Sequence, residues 1–353
     1  MSKDNDARFI KAGLPTGGYF GENVRAKERG VSMKTIVTFT MNPAIDKSSS
    51  VDHVIAERKL YCKAPYYEPG GGGVNVARAI KKLGGESLLL YPAGGLTGYR
   101  LKDLLEREEI SHRPVPIEGM IRESLVVLEE STGQQFRFGM PGPALSNEEW
   151  ERCLDELSTI SPRPDYLVAS GSLPPGVPSD FYARVARTGE EKGTKVIIDA
   201  SGDALNRALQ EGVYLIKPNV REFRDLIGKD IKEESQIKIE ARKMVKSGRC
   251  EVLIISLGSA GALMVLEDVI EHILPPTVPI VSKVGAGDSM VAGIVLSLAQ
   301  GKTLRDSVLF GVAAGAAAVM TPGTELCRRE DAERLYEKMV SEAGSFPLSE
   351  SEG

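Results

Sequence analysis

The sequence predicts an α/β fold with a mainly parallel central sheet that helices cover on both faces. In the second half of the chain, apolar strand-like runs alternate with segments of helical periodicity, from the strand Tyr166–Ala169 to the strand Val252–Ser256. Such alternation builds right-handed β-α-β units, whose strands lie parallel to one another. Two irregular β-like stretches, 48–68 and 115–139, interrupt this pattern and predict a small accessory sheet.

The individual elements follow from short-range patterns. Thr35–Thr40 is a β-branched run that stops at Asn42-Pro43, which predicts a strand and a turn. The glycine run that ends at Gly73 leads into a helix that stops at Gly84. The other predicted elements are strands at 88–91, 123–129, 134–138, 166–169, 195–199, 214–217 and 252–256, helices at 97–108, 147–159, 179–191, 203–210, 222–227, 234–246, 289–299, 304–320 and 330–341, and a hairpin at 262–266 and 270–274.

Composition excludes several classes of function. The 353 residues carry a net charge of -5, which argues against a nucleic-acid partner. The four cysteines (Cys62, Cys153, Cys250 and Cys327) and the three histidines are scattered, so a zinc site, a disulfide framework and a Ser-His-Asp triad are unsupported. This use of cysteine fits a reducing, cytoplasmic compartment. No run of about 18 apolar residues is present, so no membrane partner is expected.

Both ends of the chain differ in composition from the rest. Residues 1–32 are polar and lack the apolar segment of a signal peptide, which predicts a mobile N-terminal extension. Residues 344–353 are predicted to be a mobile tail. One folded domain is therefore expected at 33–343.

Polar or glycine-rich stretches are predicted to follow the strands. In open α/β sheets, ligands bind beyond the carboxyl ends of the strands, so these stretches predict a binding site. They are Asp46, Gly70–Gly73, Ser170–Ser172, Lys217–Asn219, Ser256–Gly258 and Gly285–Asp288.

The segment Gly285-Ala286-Gly287-Asp288 precedes an apolar run with helical spacing. A turn of small residues lets an anion approach the free N–H groups at a helix N-terminus. Asp288 would lie beside that anion and could take a proton from an attacking hydroxyl group. Because short motifs also occur by chance, the alternative is that Asp288 simply caps a helix.

A second candidate is Asn219-x-x-Glu222, directly after a predicted strand. Its side chains could orient the waters that Mg²⁺ retains, or could form an ordinary capping box. Neither the phosphate-binding P-loop nor the dinucleotide-binding glycine fingerprint is present in the sequence.

Together and in this order, Pro69–Arg78, Asn219-x-x-Glu222 and Gly285–Asp288 resemble the motifs of the PfkB branch of the ribokinase-like sugar kinases. Gly171–Gly176 and Asp199–Gly202 are similar to the phosphosugar kinases within it, above all to the minor type of bacterial 6-phosphofructokinase. The likeness spans about residues 33–340. It implies a ribokinase-like αβα sandwich with a β-sheet lid from about 48–68 and 115–139, and a homodimer in which two lids clasp.

The resemblance also implies roles for residues of this chain. The sugar hydroxyls would be held by Asp46, Gly70, Gly71 and Asn75, and the sugar phosphate would lie near Lys59, Arg122, Arg137 and Ser172. The ATP site would be lined by Lys217, Asn219, Ser256 and Gly258, and Glu222 would contact the water network of Mg²⁺. A monovalent cation (K⁺) would be bracketed by the backbone oxygens of Ser282, Val284, Ala318, Thr321 and Gly323.

The implied reaction is the ATP-dependent phosphorylation of fructose 6-phosphate at the C1 hydroxyl to fructose 1,6-bisphosphate, a step of glycolysis. Asp288 would be the general base, and the N–H groups of residues 285–288 (Gly285, Ala286, Gly287 and Asp288) the anion hole. Arg122 and Arg137 favour a phosphosugar, because the guanidinium fork fits phosphate; each could instead be a solvated charge at a strand edge. The alternatives are a 1-phosphofructokinase, a tagatose-6-phosphate kinase or a catalytically silent sensor.

Overall fold

The computed structural model describes residues 33–343, so the predicted extension 1–32 and tail 344–353 lie outside the described residues. The strands are β1 (Ile36–Phe39), β2 (Ala44–Val51), β3 (Tyr66–Gly70), β4 (Leu88–Ala93), β5 (His112–Pro116), β6 (Arg122–Glu129), β7 (Gln135–Phe138), β8 (Tyr166–Ser170), β9 (Lys195–Asp199), β10 (Val213–Ile216), β11 (Cys250–Ser256), β12 (Ala262–Val265) and β13 (Ile270–Ile273). The helices are α1 (Gly72–Lys82), α2 (Gly95–Arg107), α3 (Asn147–Ser158), α4 (Phe181–Glu191), α5 (Gly202–Ala208), α6 (Val220–Ile227), α7 (Glu234–Lys246), α8 (Ala286–Ala299), α9 (Leu304–Val319) and α10 (Arg329–Ala343).

Nine strands form the main sheet, in the order β13-β12-β11-β10-β9-β8-β1-β4-β5. Neighbours from β11 to β5 run parallel, whereas β12 and β13 are antiparallel additions at one edge. This arrangement confirms the predicted, mainly parallel sheet. Most helices begin and end within a few residues of the bounds that the sequence predicts.

Alternate residues along the strands supply two separate hydrophobic cores. In β8, Leu167 and Ala169 pack into one core, and Tyr166 and Val168 into the other. Side chains of α2 to α7 complete the first core, and those of α8 to α10, with part of α1, complete the second. The two-residue period of a strand therefore places one helical layer on each face of the sheet. Across residues 33–343, no helix has the combination of length and apolar character that crossing a membrane requires.

Four strands form a second sheet, called here the small sheet, in the order β3-β2-β6-β7. Strand β2 runs parallel to β6, and the other two pairs are antiparallel. The small sheet draws its strands from the two irregular regions that the sequence indicates, but it starts earlier, at Ala44. Asp46 and Gly70 therefore lie in the small sheet, and the expectation that they follow main-sheet strands is wrong.

The strand β5 is a further correction. It pairs with β4 at the edge of the main sheet, so Val115 and Pro116 do not belong to the accessory region predicted at 115–139. Prolines at 114 and 116 hide this strand in the sequence. Proline lacks an N–H group and is tolerated at a sheet edge, where one side of the strand needs no partner.

Candidate active site

A polar cavity of about 400 Å³ opens where strands β8 to β11 end. The carboxyl ends of parallel strands meet at one edge of a sheet, so polar residues that are distant in sequence converge there. The residues that line it are Gly72, Ser170, Gly171, Ser172, Asp199, Ala200, Ser201, Lys217, Asn219, Glu222, Ser256, Gly287 and Asp288. The structure thus brings together members of five of the six stretches that the sequence singles out.

A second cavity of about 520 Å³ adjoins the first and shares Asn219, Ser256 and Gly287 with it. Gly258 lies at its wall, as the predicted nucleotide-binding role requires. Most of the remaining wall is apolar and comes from the segment 275–283 and from helices α8 and α9, including Val278, Ile280, Val312, Ala316 and Val319. A polar cavity and an apolar cavity therefore meet beside the first turn of α8.

Asp288 lies in that first turn and is partly buried. The side-chain amide of Asn75 donates a hydrogen bond to Asp288 Oδ2 over 2.9 Å. Removal from solvent, with the charge of Asp199, raises the pKa of Asp288 to about 7, although the Asn75 hydrogen bond and Lys217 act in the opposite direction. A carboxylate with such a pKa is matched to proton transfer near neutral pH.

The turn before Asp288 requires glycine at position 285. Gly285 has φ 72°, in the left-handed region, and caps α8. A Cβ atom at this position would also lie 2.3 Å from Leu326 Cδ2. The N–H groups of the first helical turn have no partner within the helix and are available to an anion.

Lys217 supplies a buried positive charge to the polar cavity. Only 6% of this residue is exposed, and its Nζ lies 3.3 Å from Asp199 Oδ1. Burial lowers the pKa of Lys217, but Asp199, Asp288 and Glu222 together raise it above its usual value, so the ammonium group stays charged. The sequence analysis gives Asp199 no role in the site. Its position as an acidic residue at the end of a predicted strand is the signal that could have identified it.

Asn219 and Glu222 form the capping box that was one of the two interpretations of their spacing. The N–H of Asn219 donates to Glu222 Oε2 over 2.9 Å, and the N–H of Glu222 donates to Asn219 Oδ1 over 2.9 Å. Both residues also line the polar cavity. The two interpretations are therefore compatible, because the cap holds the pair in place at the cavity wall.

Three residues predicted to bind the sugar share one face of the small sheet. Asp46 pairs with Ser124, Arg122 pairs with Ala44, and Arg137 pairs with Val126. The two-residue period then places Asp46, Arg122 and Arg137 on the same side. Burial raises the pKa of Asp46, against the opposing effect of both arginines. Gly70 is adjacent, since a Cβ there would lie 2.4 Å from Asp46 Oδ2.

The remaining predicted substrate residues divide into two groups. Gly71 caps α1, Asn75 contacts Asp288, and Ser172 Oγ accepts a hydrogen bond from Asn42 Nδ2 over 3.0 Å. Lys59, by contrast, is exposed in the loop between β2 and β3, with its Nζ 5.1 Å from the ring centroid of Tyr61.

The residues predicted to bracket a monovalent cation come from two segments that pack together. Ser282 Oγ donates to the carbonyl of Gly323 over 3.1 Å, and the N–H of Val284 donates to Ser282 Oγ over 3.2 Å. Thr321 Oγ1 donates to the carbonyl of Ala318 over 2.8 Å. These hydrogen bonds hold the segment 282–284 against the segment 318–323, beside the turn that carries Gly285.

Residues 39–331 match the family described as pfkB family carbohydrate kinase. The ATP-dependent 6-phosphofructokinase isozyme 2 of Mycobacterium tuberculosis is 46% identical over 302 residues, which cover 86% of this chain and 89% of that protein. The enzyme of the same name from Escherichia coli is 40% identical over 305 residues, covering 86% and 98%. A 1-phosphofructokinase from Borreliella burgdorferi is 31% identical over 301 residues, covering 85% and 96%.

Solved structures agree with these matches. Phosphofructokinase-2 from Escherichia coli in complex with potassium superposes with a TM-score of 0.84 at 39% identity, covering 87% of this chain and 100% of that one. A ribokinase from Thermotoga maritima, at 21% identity and a TM-score of 0.70, shares the fold. These findings confirm the family and the ribokinase-like fold that the motifs predict. The chain belongs to the pfkB family of carbohydrate kinases and is a sugar-phosphate kinase.

Proposed function

We propose that this protein transfers the γ-phosphoryl group of ATP to the C1 hydroxyl of fructose 6-phosphate. The observation that carries the proposal is the position of Asp288, in the first turn of α8, at the wall of the polar cavity and next to Gly287, which lines both cavities. A nucleotide that extends from the apolar cavity into the polar one and a phosphosugar held beside the small sheet would meet at this carboxylate. The two relatives at 46% and 40% identity, both named 6-phosphofructokinase isozyme 2, favour fructose 6-phosphate.

Asp288 accepts the proton of the sugar hydroxyl as its oxygen attacks the γ-phosphorus. Such base assistance contributes about 10²–10⁴-fold to the rate. The N–H groups of Ala286, Gly287 and Asp288, at the N-terminus of α8, stabilise charge on the moving phosphoryl group. Lys217 adds a fixed positive charge at the wall of the same cavity.

The nucleotide lies across both cavities in this proposal. Its base occupies the apolar cavity, where Gly258 leaves the wall open, and its phosphates extend past Asn219 and Ser256 to Lys217. The capping box uses Glu222 Oε2, so the carboxylate keeps lone pairs for water that binds Mg²⁺. When bound, Mg²⁺ would neutralise charge on the phosphates.

The sugar phosphate binds between the small sheet and the polar cavity. Arg122 and Arg137 attract the phosphate, and their guanidinium groups can each bind it through two hydrogen bonds. Asp46 and Asn75, with the backbone of Gly70 and Gly71, hold the sugar hydroxyls. The small sheet thereby acts as the lid of the single kinase domain, residues 33–343.

We also propose a K⁺ site formed by backbone oxygens of 282–284 and 318–323. The hydrogen bonds among Ser282, Val284 and Gly323 draw these two segments together. The neighbouring residue Leu326 packs under Gly285, so a bound cation would fix the turn that forms the anion hole. The relative from Escherichia coli was solved with potassium.

The small sheet is the proposed dimer interface. Exposed apolar side chains lie on both of its faces: Tyr66, at 76% exposure, shares the face of Asp46, and Phe138, at 47%, lies on the opposite face. A second copy of the chain whose small sheet clasps this one would cover both side chains. Light scattering after size exclusion should report a dimer for the wild type and a monomer for Tyr66→Asp/Phe138→Asp.

A coupled assay of ADP release identifies which phosphosugar is the preferred acceptor. Fructose 6-phosphate, fructose 1-phosphate and tagatose 6-phosphate are compared by kcat/KM under one set of conditions. The proposal expects fructose 6-phosphate to be preferred at least tenfold, which corresponds to about 1.4 kcal/mol of transition-state discrimination. A higher kcat/KM for either of the other two sugars would contradict it.

A further inference from the structure

Asn42 is a buried polar residue that neither the motifs nor the proposed roles include. It lies in the turn between β1 and β2 and is 7% exposed. Its side-chain oxygen, Oδ1, has no hydrogen-bond partner among the described residues. A buried amide with an unpaired oxygen is costly, so a functional reason for asparagine at this position is expected.

The contacts of Asn42 join the two sheets at the substrate site. Its backbone carbonyl accepts hydrogen bonds from Arg122 Nε over 3.4 Å and Arg122 Nη2 over 3.3 Å. Its side-chain Nδ2 donates to Ser172 Oγ over 3.0 Å. Arg122 belongs to the small sheet, whereas Ser172 follows β8 of the main sheet and lines the polar cavity. One residue therefore holds two candidate ligands of the phosphate.

The direction of the Asn42–Ser172 hydrogen bond determines what the serine can do. A hydroxyl group has one proton and two lone pairs. Because the Asn42 amide fills one lone pair, the hydroxyl proton of Ser172 remains free to donate to an anion. Arg122 has five N–H donors, of which three are engaged by Asn42 and by Ser124 Oγ, so two remain for the same anion.

We propose that Asn42 is a positioning residue for the phosphate of the sugar substrate. Its carbonyl anchors the Arg122 guanidinium, and its amide orients the Ser172 hydroxyl as a donor toward the phosphate. This inference rests on the proposed function only in that the acceptor is a phosphosugar. It does not depend on which of the three phosphosugars is used.

The test compares Asn42→Ala with the isosteric Asn42→Asp, using whichever phosphosugar gives the wild type its highest kcat/KM. Asn42→Ala releases the serine and should raise the KM for the phosphosugar about tenfold, as expected for weakening one hydrogen bond to a charged group. The carboxylate in Asn42→Asp has only hydrogen-bond acceptors. The Ser172 hydroxyl would therefore donate to it and no longer to the phosphate, which the carboxylate also repels. The KM of this variant should rise about a hundredfold, while kcat and the KM for ATP change less than twofold in both variants.

Two controls separate positioning from a general structural effect. With fructose as a weak acceptor that has no phosphate, both variants should match the wild type in kcat/KM. In a Ser172→Ala background, Asn42→Ala should add less than a twofold change, because the two residues act through one hydrogen bond. Wild-type KM in Asn42→Asp, or equal losses for fructose and the phosphosugar, would overturn the proposal. A wild-type preference for tagatose 6-phosphate would contradict the proposed function but leave this comparison intact.

Discussion

Two buried cations of this chain, Arg78 and Lys217, differ in how completely their surroundings satisfy them. Arg78 is 2% exposed, and its five donors make five hydrogen bonds, to carboxylate oxygens of Glu68 and Glu108 and to the carbonyls of Pro69 and Thr324. Lys217 is 6% exposed and pairs with Asp199, but it also faces an open cavity and the carboxylate of Asp288. Burial alone therefore does not distinguish a structural charge from a functional one.

The two clusters also differ in how burial and neighbouring charges shift the pKa values of their members. Around Arg78, burial lowers the pKa of the guanidinium, but the two glutamates raise it above its usual value, and every donor has a partner. Around Lys217, burial and, less strongly, the charge of Asp199 raise the pKa of Asp288 to about 7, although Lys217 itself lowers it. The first cluster fixes α1 against β3 and the segment near Thr324. In the proposed mechanism, the second cluster exchanges a proton and binds an anion.

The largest expected effect comes from removing the poised carboxylate. Asp288→Asn should lower kcat by about 10²–10⁴-fold, because the amide cannot accept the proton of the sugar hydroxyl. Steady-state assays measure the rate, and calorimetry should show that phosphosugar and ATP still bind. Asp203→Asn, on the exposed surface of α5, is the matched control and should retain wild-type kcat. A kcat within threefold of wild type in Asp288→Asn would remove this residue from the mechanism.

Gly285→Ala should have the next largest effect on kcat, because it strains the proposed anion hole without changing a charge. A Cβ in the left-handed region costs about 1–2 kcal/mol, and the contact with Leu326 adds to this. A displacement of about 1 Å at the site should lower kcat about 10²-fold. Gly301→Ala is the control, since Gly301 has φ 79° with nothing within 4 Å of the added Cβ. Equal urea midpoints and equal kcat in the two variants would contradict this account.

Arg78→Met should weaken the fold, since it breaks the satisfied cluster and leaves Glu68 and Glu108 without their partner. We expect the free energy of unfolding to fall by about 3 kcal/mol, as for the loss of one member of a buried ion pair. Urea denaturation followed by circular dichroism measures this. Arg187→Met, which breaks the exposed pair with Glu211, should leave the midpoint close to that of the wild type. Equal midpoints for the two variants would show that the Arg78 cluster is dispensable.

The pH dependence of stability supplies a further prediction. The pKa of Asp288 is about 7 in the folded protein and 3.8 in the unfolded chain, so the folded state binds more protons between these values. Stability should therefore fall as pH rises from about 4 to about 7, by up to 1.4 kcal/mol per pH unit. Asp288→Asn should lose this component. Parallel wild-type and variant curves of unfolding free energy against pH would contradict the raised pKa.

The sequence was sufficient for features that depend on local patterns. The helix that follows the glycine turn at 285, the Asn219–Glu222 pair and the alternation of strands and helices follow from spacing and residue type. The strand β5 was missed because Pro114 and Pro116 break the usual strand composition. Asp46 was misplaced because Pro43 marks the end of one strand, although the next begins at Ala44.

The roles of Arg78 and Asn42 could not be predicted from local patterns. Arg78 contacts Thr324, 246 positions away, and Asn42 contacts Ser172, 130 positions away. Alone, Asn42 indicates a turn and Arg78 indicates one polar residue of a helix. Their partners are set by the tertiary packing of segments that are far apart along the chain, which no single stretch of sequence encodes.

The pH dependence of kcat/KM tests most directly the claim that Asp288 is a base poised near neutral pH. Fructose should be used beside the phosphosugar, because it carries no titrating phosphate. With fructose, kcat/KM should be level above about pH 7 and should fall tenfold per unit below it, as Asp288 in the free enzyme becomes protonated. With the phosphosugar, protonation of its own phosphate adds to this fall. A profile that stays level for fructose from about pH 5.5 to 8 would contradict the account.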